Sequence, residues 1–339
     1  IHRGSRVLIK PNLLSPAFPE QALLTHPAVI RAAVAYVLQK GAEPVVADSP
    51  AIGSFEKILR DGGIRKTLQG LDVEIRPLRE SVKSDVGAPF GRIEVAADAL
   101  AADYVINLPK LKTHGQMLLT LGVKNLFGCI VGFRKPEWHM RTGVDREMFA
   151  RLLVQICRRI RPAFTILDGI LAMEGEGPGK SGTPRRLGLL IGGEDPFDVD
   201  EAVCRMIGLD PQRLPTLRAA RALGLKSGIL EIDGSLPAVG DFKLPVAAPL
   251  VYGPGSLQGW IRRHVVQRPV ADGFVCTLCG ECGKFCPAHA ISLAGRALRF
   301  DYDRCIRCYC CIEICPQGAL RAVETPAGRM IRRITDRFK

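Results

Sequence analysis

Two runs decide the reading: Cys276-Thr277-Leu278-Cys279-Gly280-Glu281-Cys282-Gly283-Lys284-Phe285-Cys286-Pro287 and Cys305-Ile306-Arg307-Cys308-Tyr309-Cys310-Cys311-Ile312-Glu313-Ile314-Cys315-Pro316. Thiolates held two residues apart on a tight loop can take three corners of one iron–sulfur cube, while the cysteine before each proline reaches across to the other cube. Crossed ligation is therefore expected, with Cys276, Cys279, Cys282 and Cys315 around one 4Fe-4S cluster and Cys305, Cys308, Cys311 and Cys286 around a second. The alternatives are zinc or disulfides. Two four-cysteine runs, each ending in Cys-Pro, exceed what a tetrahedral zinc ribbon needs.

On this pattern the segment from about 270 to 325 resembles a bacterial-type ferredoxin carrying two 4Fe-4S clusters. The apolar residues Ala290, Ile291 and Leu293, and later Ala319 and Leu320, fit the small strands and helical turns of such a wrap. Cys310 is an extra thiol beside a ligand and reads as packing, because the regular spacing is complete without it.

At 339 residues the chain is long enough for one large core plus this small unit. The remainder is rich in Ala, Val, Ile, Leu and Gly, and aromatics make up only 6% overall, as in an α/β domain. Cys129, Cys157, Cys204 and Cys310 show no pairing pattern, so a reducing cytoplasm is expected, and no apolar run reaches the length of a membrane span. The opening on Ile1, with a strand-like run almost at once, reads as a fragment. The formal charge of +13 points to an acidic electron-transfer protein or an anionic small molecule as partner. Nucleic acid ranks last, because the basic residues are scattered and lack interleaved aromatics.

In chain order, Val7 to Ile9 is a buried strand, a helix with Thr25 as N-cap follows, and Pro44 to Ala47 is the next strand. Such a β-α-β unit implies parallel pairing. A strand at Tyr104 to Leu108 runs into a loop from Pro109 to His114, and a helix from Leu118 to Gly128 carries Lys124 and Asn125. A helix from Arg146 to Ile160 precedes a strand at Phe164 to Leu167, whose end carries Asp168. The fold expected is α/β, a mostly parallel sheet flanked by helices, with a small C-terminal α+β ferredoxin-type domain. The boundaries expected are 1–235 for the α/β domain, 236–269 for a linker, 270–325 for the ferredoxin part and 326–339 for a frayed basic tail.

Lys10-Pro11-Asn12, Thr25-His26-Pro27, Asp48-Ser49-Pro50, Leu108-Pro109-Lys110-Leu111-Lys112-Thr113-His114, Lys124-Asn125-Leu126-Phe127-Gly128 and Asp168-Gly169 with Met173-Glu174-Gly175 together resemble the domain-of-unknown-function family numbered 362. The resemblance covers roughly residues 1 to 235, and several members of that family carry a C-terminal ferredoxin. It implies an architecture and candidate positions but no reaction.

Ligands in open parallel sheets bind beyond the carboxyl ends of the strands, where loops converge. Lys10 and Asn12, Asp48 and Ser49, Lys110 with Lys112 and His114, and Asp168 with Glu174 all fall at such ends. Lys10, Lys110 and Lys112 facing one crevice would hold a carboxylate or phosphate, with Lys124 and Asn125 beside them. His114 or Glu174 would supply protons, and Asp48 and Asp168 would orient the lysines or a metal. Gly179-Lys180-Ser181 invites a nucleotide-binding reading but fails the count, because the glycine required five residues earlier is Glu174. The segment from Met173 to Thr183 is expected to be a lid or substrate loop. The expected function is an iron–sulfur oxidoreductase acting on an anionic substrate or cofactor, the alternative being an electron-transfer subunit that docks a partner enzyme.

Overall fold

Val7-Leu8-Ile9 and Val45-Val46-Ala47 are continuous apolar runs, as strands covered on both faces require. In the computed structural model they lie side by side in the sheet, within β1 (Arg6–Pro11) and β2 (Glu43–Asp48), joined by the crossover helix α1 (Pro27–Gln39). The structure describes residues 1–339 other than 133, 143–144, 227, 246–259, 262 and 336–339.

Helices α2 (Phe55–Asp61) and α3 (Ile64–Leu68) lead to β3 (Glu74–Pro77), which pairs in parallel with β2. A separate hairpin, β4 (Ser81–Asp85) with β5 (Arg92–Ala96), and α4 (Ala97–Ala101) then return the chain to β6 (Tyr104–Leu108), parallel to β1. Beyond Pro109 the chain continues as β7 (Lys110–His114), and β8 (Leu118–Thr120) folds back along it. The long β9 (Phe164–Gly175) pairs in parallel with β6 and then with β7 on one edge, and antiparallel with β10 (Gly182–Gly193) on the other. The result is a mostly parallel sheet with helices on both faces. Successive residues of β1 serve opposite cores, Val7 and Ile9 packing with Ile30 and Val34 of α1, and Leu8 with the cluster that contains Phe149 and Leu153.

Short α5 (Gly122–Asn125), α6 (Arg134–Thr142) and α7 (Arg146–Ile160) separate β8 from β9, and α8 (Pro196–Met206) and α9 (Pro215–Ala222) follow β10. The C-terminal part is smaller. There β11 (Arg268–Ala271) pairs with β14 (Leu320–Val323), β12 (Ile291–Ala294) with β13 (Ala297–Phe300), and α10 (Glu281–Lys284) and α11 (Cys310–Ile314) lie within the cysteine runs. Pro326–Thr335, expected as a frayed tail, forms α12, whose first turn is capped by Thr325 Oγ1 accepting from the Gly328 N–H at 3.1 Å. Much of the expected linker, 246–259, lies outside the described residues, as do tail residues 336–339.

Five local expectations are corrected. Lys110–His114 is a strand rather than a loop, because Pro109 only interrupts β6 and the edge of β9 remains available for pairing. The apolar stretch from Leu118 is β8, a tight break and then α5, since a short run buried on all sides carries no periodicity that tells strand from helix. Asp168 sits inside β9 rather than at its end. The N-cap of α1 is His26, while Thr25 Oγ1 instead donates to Leu108 O at 2.7 Å and accepts from Asn12 N. Met173 to Thr183 is the turn of the β9–β10 hairpin, seated against the C-terminal part, and not a free lid.

Candidate functional site

The ends of β1 and β2, the β7–β8 hairpin and helices α5 and α6 surround a crevice of about 100 Å³. Lys10, Asn12, Asp48, Ser49, Lys112, Lys124 and Asn125 line it. Lys110, His114, Asp168 and Glu174 do not, and each is engaged behind or beside it. Buried Lys110 donates to Asp168 Oδ2 at 2.8 Å, and the same oxygen accepts from the His26 N–H at 2.7 Å. Glu174 accepts from Arg185 at 2.9 Å and from the Lys243 N–H at 3.1 Å.

The lysines at the wall are held from below. Lys10 Nζ lies 2.7 Å from Asp48 Oδ1 and donates to Pro11 O at 2.8 Å. Lys112 Nζ donates to Asn12 Oδ1 and Leu23 O, and the Asn12 side chain in turn donates to Asn125. Lys135 on α6, which sequence reasoning did not place here, donates to Ser49 O and Oγ at 2.7 and 2.9 Å. Thr120 also lines the crevice, as does His139 of α6, whose ring meets Phe127 edge-on and packs at a tilt against Phe149 of α7. Burial pushes two of these ammoniums down, that of Lys112 to about 7 and that of Lys135 to about 8, and it lowers His139 to about 3.

Gly128 allows this close approach. A Cβ there would lie 2.5 Å from Lys10 Nζ and nearer still to Asp48 Oδ1. Gly128→Ala is expected to cost about 1–3 kcal/mol by overpacking and to displace the Lys10–Asp48 pair. Denaturation midpoints of the two proteins check this, and an unchanged midpoint would show that the pair can yield without cost.

The far wall comes from the C-terminal part: Phe285, Cys310, Glu313 and Ile314. Glu313 Oε1 lies 2.7 Å from His114 Nε2, off the line of an aligned hydrogen bond. His114 Nδ1 accepts the N–H groups of Gln116 and Met117, both at 3.1 Å, which leaves the ring proton on Nε2, facing the carboxylate. Burial, reinforced by Lys124, lowers His114 to about 4. Burial alone would raise Glu313, yet the charges of His114 and Lys124 outweigh it and hold the carboxyl far below its usual range. Further contacts join the two parts. Ser181 Oγ donates to Leu320 O at 3.1 Å, and Gly179 sits against the backbone of Ile312 and Glu313. No local sequence signal marks Glu313, because its partners lie in another domain.

The two cysteine runs repeat the same backbone device. Leu278 and Arg307, each just before the second cysteine, and Gly280 and Tyr309, each just after it, all take positive φ. This left-handed winding turns successive thiols toward one side, at a cost the non-glycine residues bear because the loop fixes them. Cys315, Cys279 and Cys276 lie near enough to Cys282 to act on it electrostatically, as Cys308 and Cys305 do on Cys286. The N–H groups of Ala290 and Ala319 donate to Cys286 Sγ and Cys315 Sγ at 3.3 and 3.2 Å. Among the described residues no three such side chains converge on a point suited to a single ion. Soft thiols grouped in fours suit a multi-atom iron–sulfur cluster.

Residues 7–205 match the family described as Domain of unknown function (DUF362). The chain belongs to the DUF362 family. Residues 268–316 match the 4Fe-4S dicluster domain, so this DUF362 protein carries a ferredoxin-type iron–sulfur domain. It is 40% identical over 256 residues to the thylakoid-associated protein sll1697 of Synechocystis sp., covering 74% of this chain and 79% of that protein. The iron–sulfur part is 33% identical over 79 residues to pyruvate synthase subunit PorD of Methanocaldococcus jannaschii, covering 23% of this chain and 92% of that subunit. Among solved structures, the lactate racemase apoprotein from Thermoanaerobacterium thermosaccharolyticum aligns with a TM-score of 0.42 at 12% identity, over 63% of this chain and 50% of that one. No helix among the described residues of the DUF362 chain is long and apolar enough to cross a membrane.

Proposed function

We propose that this protein is an iron–sulfur oxidoreductase that carries low-potential electrons from an acidic electron-transfer protein to an anionic substrate or cofactor in the lysine crevice. The observation that carries this reading is that α11, which lies among the cysteines of the second run, forms one wall of the crevice opposite Lys112 and Lys124. Cys276, Cys279, Cys282 and Cys315 would hold one 4Fe-4S cluster and Cys286, Cys305, Cys308 and Cys311 the other, and these groups supply one-electron transfer when bound. Phe274 is fully exposed two residues before Cys276, and exposed Leu293 packs beside Gly280 next to exposed Cys279, giving a protein partner apolar ground near the first quartet.

Lys112 binds the anion and, with its proton lost at about 7, is suited to hand that proton on near neutral pH. His114 reaches the crevice only by way of Glu313 and so acts as a positioning residue. Glu174 has its carboxylate committed to Arg185 and takes no part in the chemistry.

The test is anaerobic reduction of the reconstituted full chain, followed by electron paramagnetic resonance with and without a panel of anionic metabolites. Reoxidation by one metabolite, lost in Lys112→Ala with both cluster signals intact, is expected. If only a protein partner takes the electrons, the large domain is a docking module and the oxidoreductase reading is withdrawn.

A pH dependence follows from the buried lysines. Lys112 is lowered from 10.5 by burial first, then by Lys124 and Lys110 against the pull of Glu313 and Asp48. Lys135 is lowered by burial and Lys10 against Asp48 and Cys129. Anion affinity is expected to fall about tenfold for each charge lost as pH rises through 7 and 8. Over the span from 7 to 10.5 the folded chain has shed a proton that the unfolded chain keeps, so the contribution of Lys112 to stability rises with pH across that range. Isothermal titration with an anion between pH 6 and 9 checks the first point, and flat affinity would remove these lysines from the binding site.

A further inference from the structure

We propose that the crevice is a site for an organic dianion, a small molecule whose two negative charges come from a phosphate monoester or from two carboxylates and whose body is apolar. This rests on the reading of the crevice as the substrate or cofactor site and names its chemical class.

The charge balance is the first ground. Four ammonium groups, those of Lys10, Lys112, Lys124 and Lys135, face the crevice against two carboxylates, those of Asp48 and Glu313, an excess of two positive charges in a largely buried space. Buried charge without a counter-charge is costly, and a ligand carrying two negative charges removes the excess.

Donor accounting is the second. An ammonium carries three donors. Lys10, Lys112 and Lys135 each spend two on the protein, leaving one apiece. Lys124 has no hydrogen-bond or salt-bridge partner among the described residues, only the field of Glu313 and Cys310. Two further buried polar atoms in the lining, Thr120 Oγ1 and His139 Nδ1, have no partner either. Buried polar groups in folded proteins are paired in the great majority of cases, so several orphans around one space mark the place of something that pairs them. Five of these six residues bring hydrogen-bond donors and the sixth a ring nitrogen, a set made for a ligand rich in acceptor oxygens.

The remaining lining sets the body. Leu13, Leu14, Phe127, Pro136, Phe285 and Ile314 are apolar, and they extend the lining beyond the ammonium groups that a bare inorganic ion would engage. The ligand is therefore organic, with its apolar part against these residues.

The test is isothermal titration of the cluster-loaded full chain at pH 6.5 with four probes: phenyl phosphate, terephthalate, benzoate and inorganic phosphate. At least one of the two organic dianions is expected to bind about tenfold or more tighter than benzoate and than inorganic phosphate. Which dianion wins tells a phosphate monoester from two carboxylates. Lys124→Gln is expected to weaken the winner by a further factor of about ten, with visible absorbance of the clusters unchanged. Should Lys124→Gln fail to fold, Thr120→Val removes one orphan at nearly constant shape and is expected to weaken binding about fivefold. Benzoate binding as tightly as both dianions, or full affinity in the variant that folds, would overturn the proposal. A dianion that binds in this way but does not reoxidise the reduced clusters leaves the site standing and counts against the oxidoreductase reading alone.

Discussion

Asp168→Ala is expected to destabilise the protein by about 3–5 kcal/mol, the cost of leaving one member of a buried ion pair alone. Lys110 and Asp168 are both essentially inaccessible and lie 2.8 Å apart on paired positions of β7 and β9. Burial already lowers the Lys110 ammonium, with Asp168 as the group that opposes it. The carboxylate also accepts the His26 N–H at the start of α1 and the Ile170 N–H within β9, so its loss orphans three donors at once. The double variant Asp168→Ala with Lys110→Met is expected to recover much of the loss, because two apolar groups carry no unpaired charge. Urea unfolding of the four proteins of this cycle measures both effects. If the single and double variants prove equally unstable, the hydrogen bonds to α1 and β9 matter and the ion pair does not.

Gly179→Val is expected to separate the iron–sulfur part from the crevice while leaving each folded. A Cβ at Gly179 would meet the backbone oxygens of both Ile312 and Glu313 at 2.9 Å, and backbone, unlike the end of a side chain, cannot turn aside. Overpacking of this kind costs about 1–3 kcal/mol, enough to displace a contact that rests on Ser181, Gly179 and the His114–Glu313 pair. The cluster absorbance is expected to stay at wild-type intensity while Cys310, now buried at the wall, becomes open to thiol reagents under anaerobic conditions. Anion affinity is expected to drop as well, since one wall of the site has moved. Unchanged protection of Cys310 would mean that the two parts are held by contacts other than these.

Much of the architecture is legible in the chain itself. The apolar runs of β1, β2 and β6 and the one-sided pattern of α1 and α7 are local features, and they announce a helix-flanked parallel sheet. The strand ends likewise announce Lys10, Asn12, Asp48, Ser49 and Lys112, because position beyond a strand in such a sheet is nearly the same as position in the crevice. Where the reading failed, the deciding partner was distant. Lys110–His114 became a strand because β9 runs past Asp168 to pair with one side of it and β8 folds back along the other, and Lys110 and Asp168 thereby neutralise one another away from the crevice. Lys135, Thr120 and His139 come from segments whose own patterns say only that they are buried.

By itself, the sequence determined the ferredoxin-type cysteine pattern, the parallel sheet and a group of basic residues at the strand ends, since ligand spacing and hydrophobic period are properties of neighbouring residues. Only the tertiary structure decided which lysines face the crevice, that Glu313 of the iron–sulfur domain closes it opposite them, and that His114 stands behind that carboxylate. Those facts depend on packing between residues far apart in the chain, where the burial of each charge is set by what the fold brings against it.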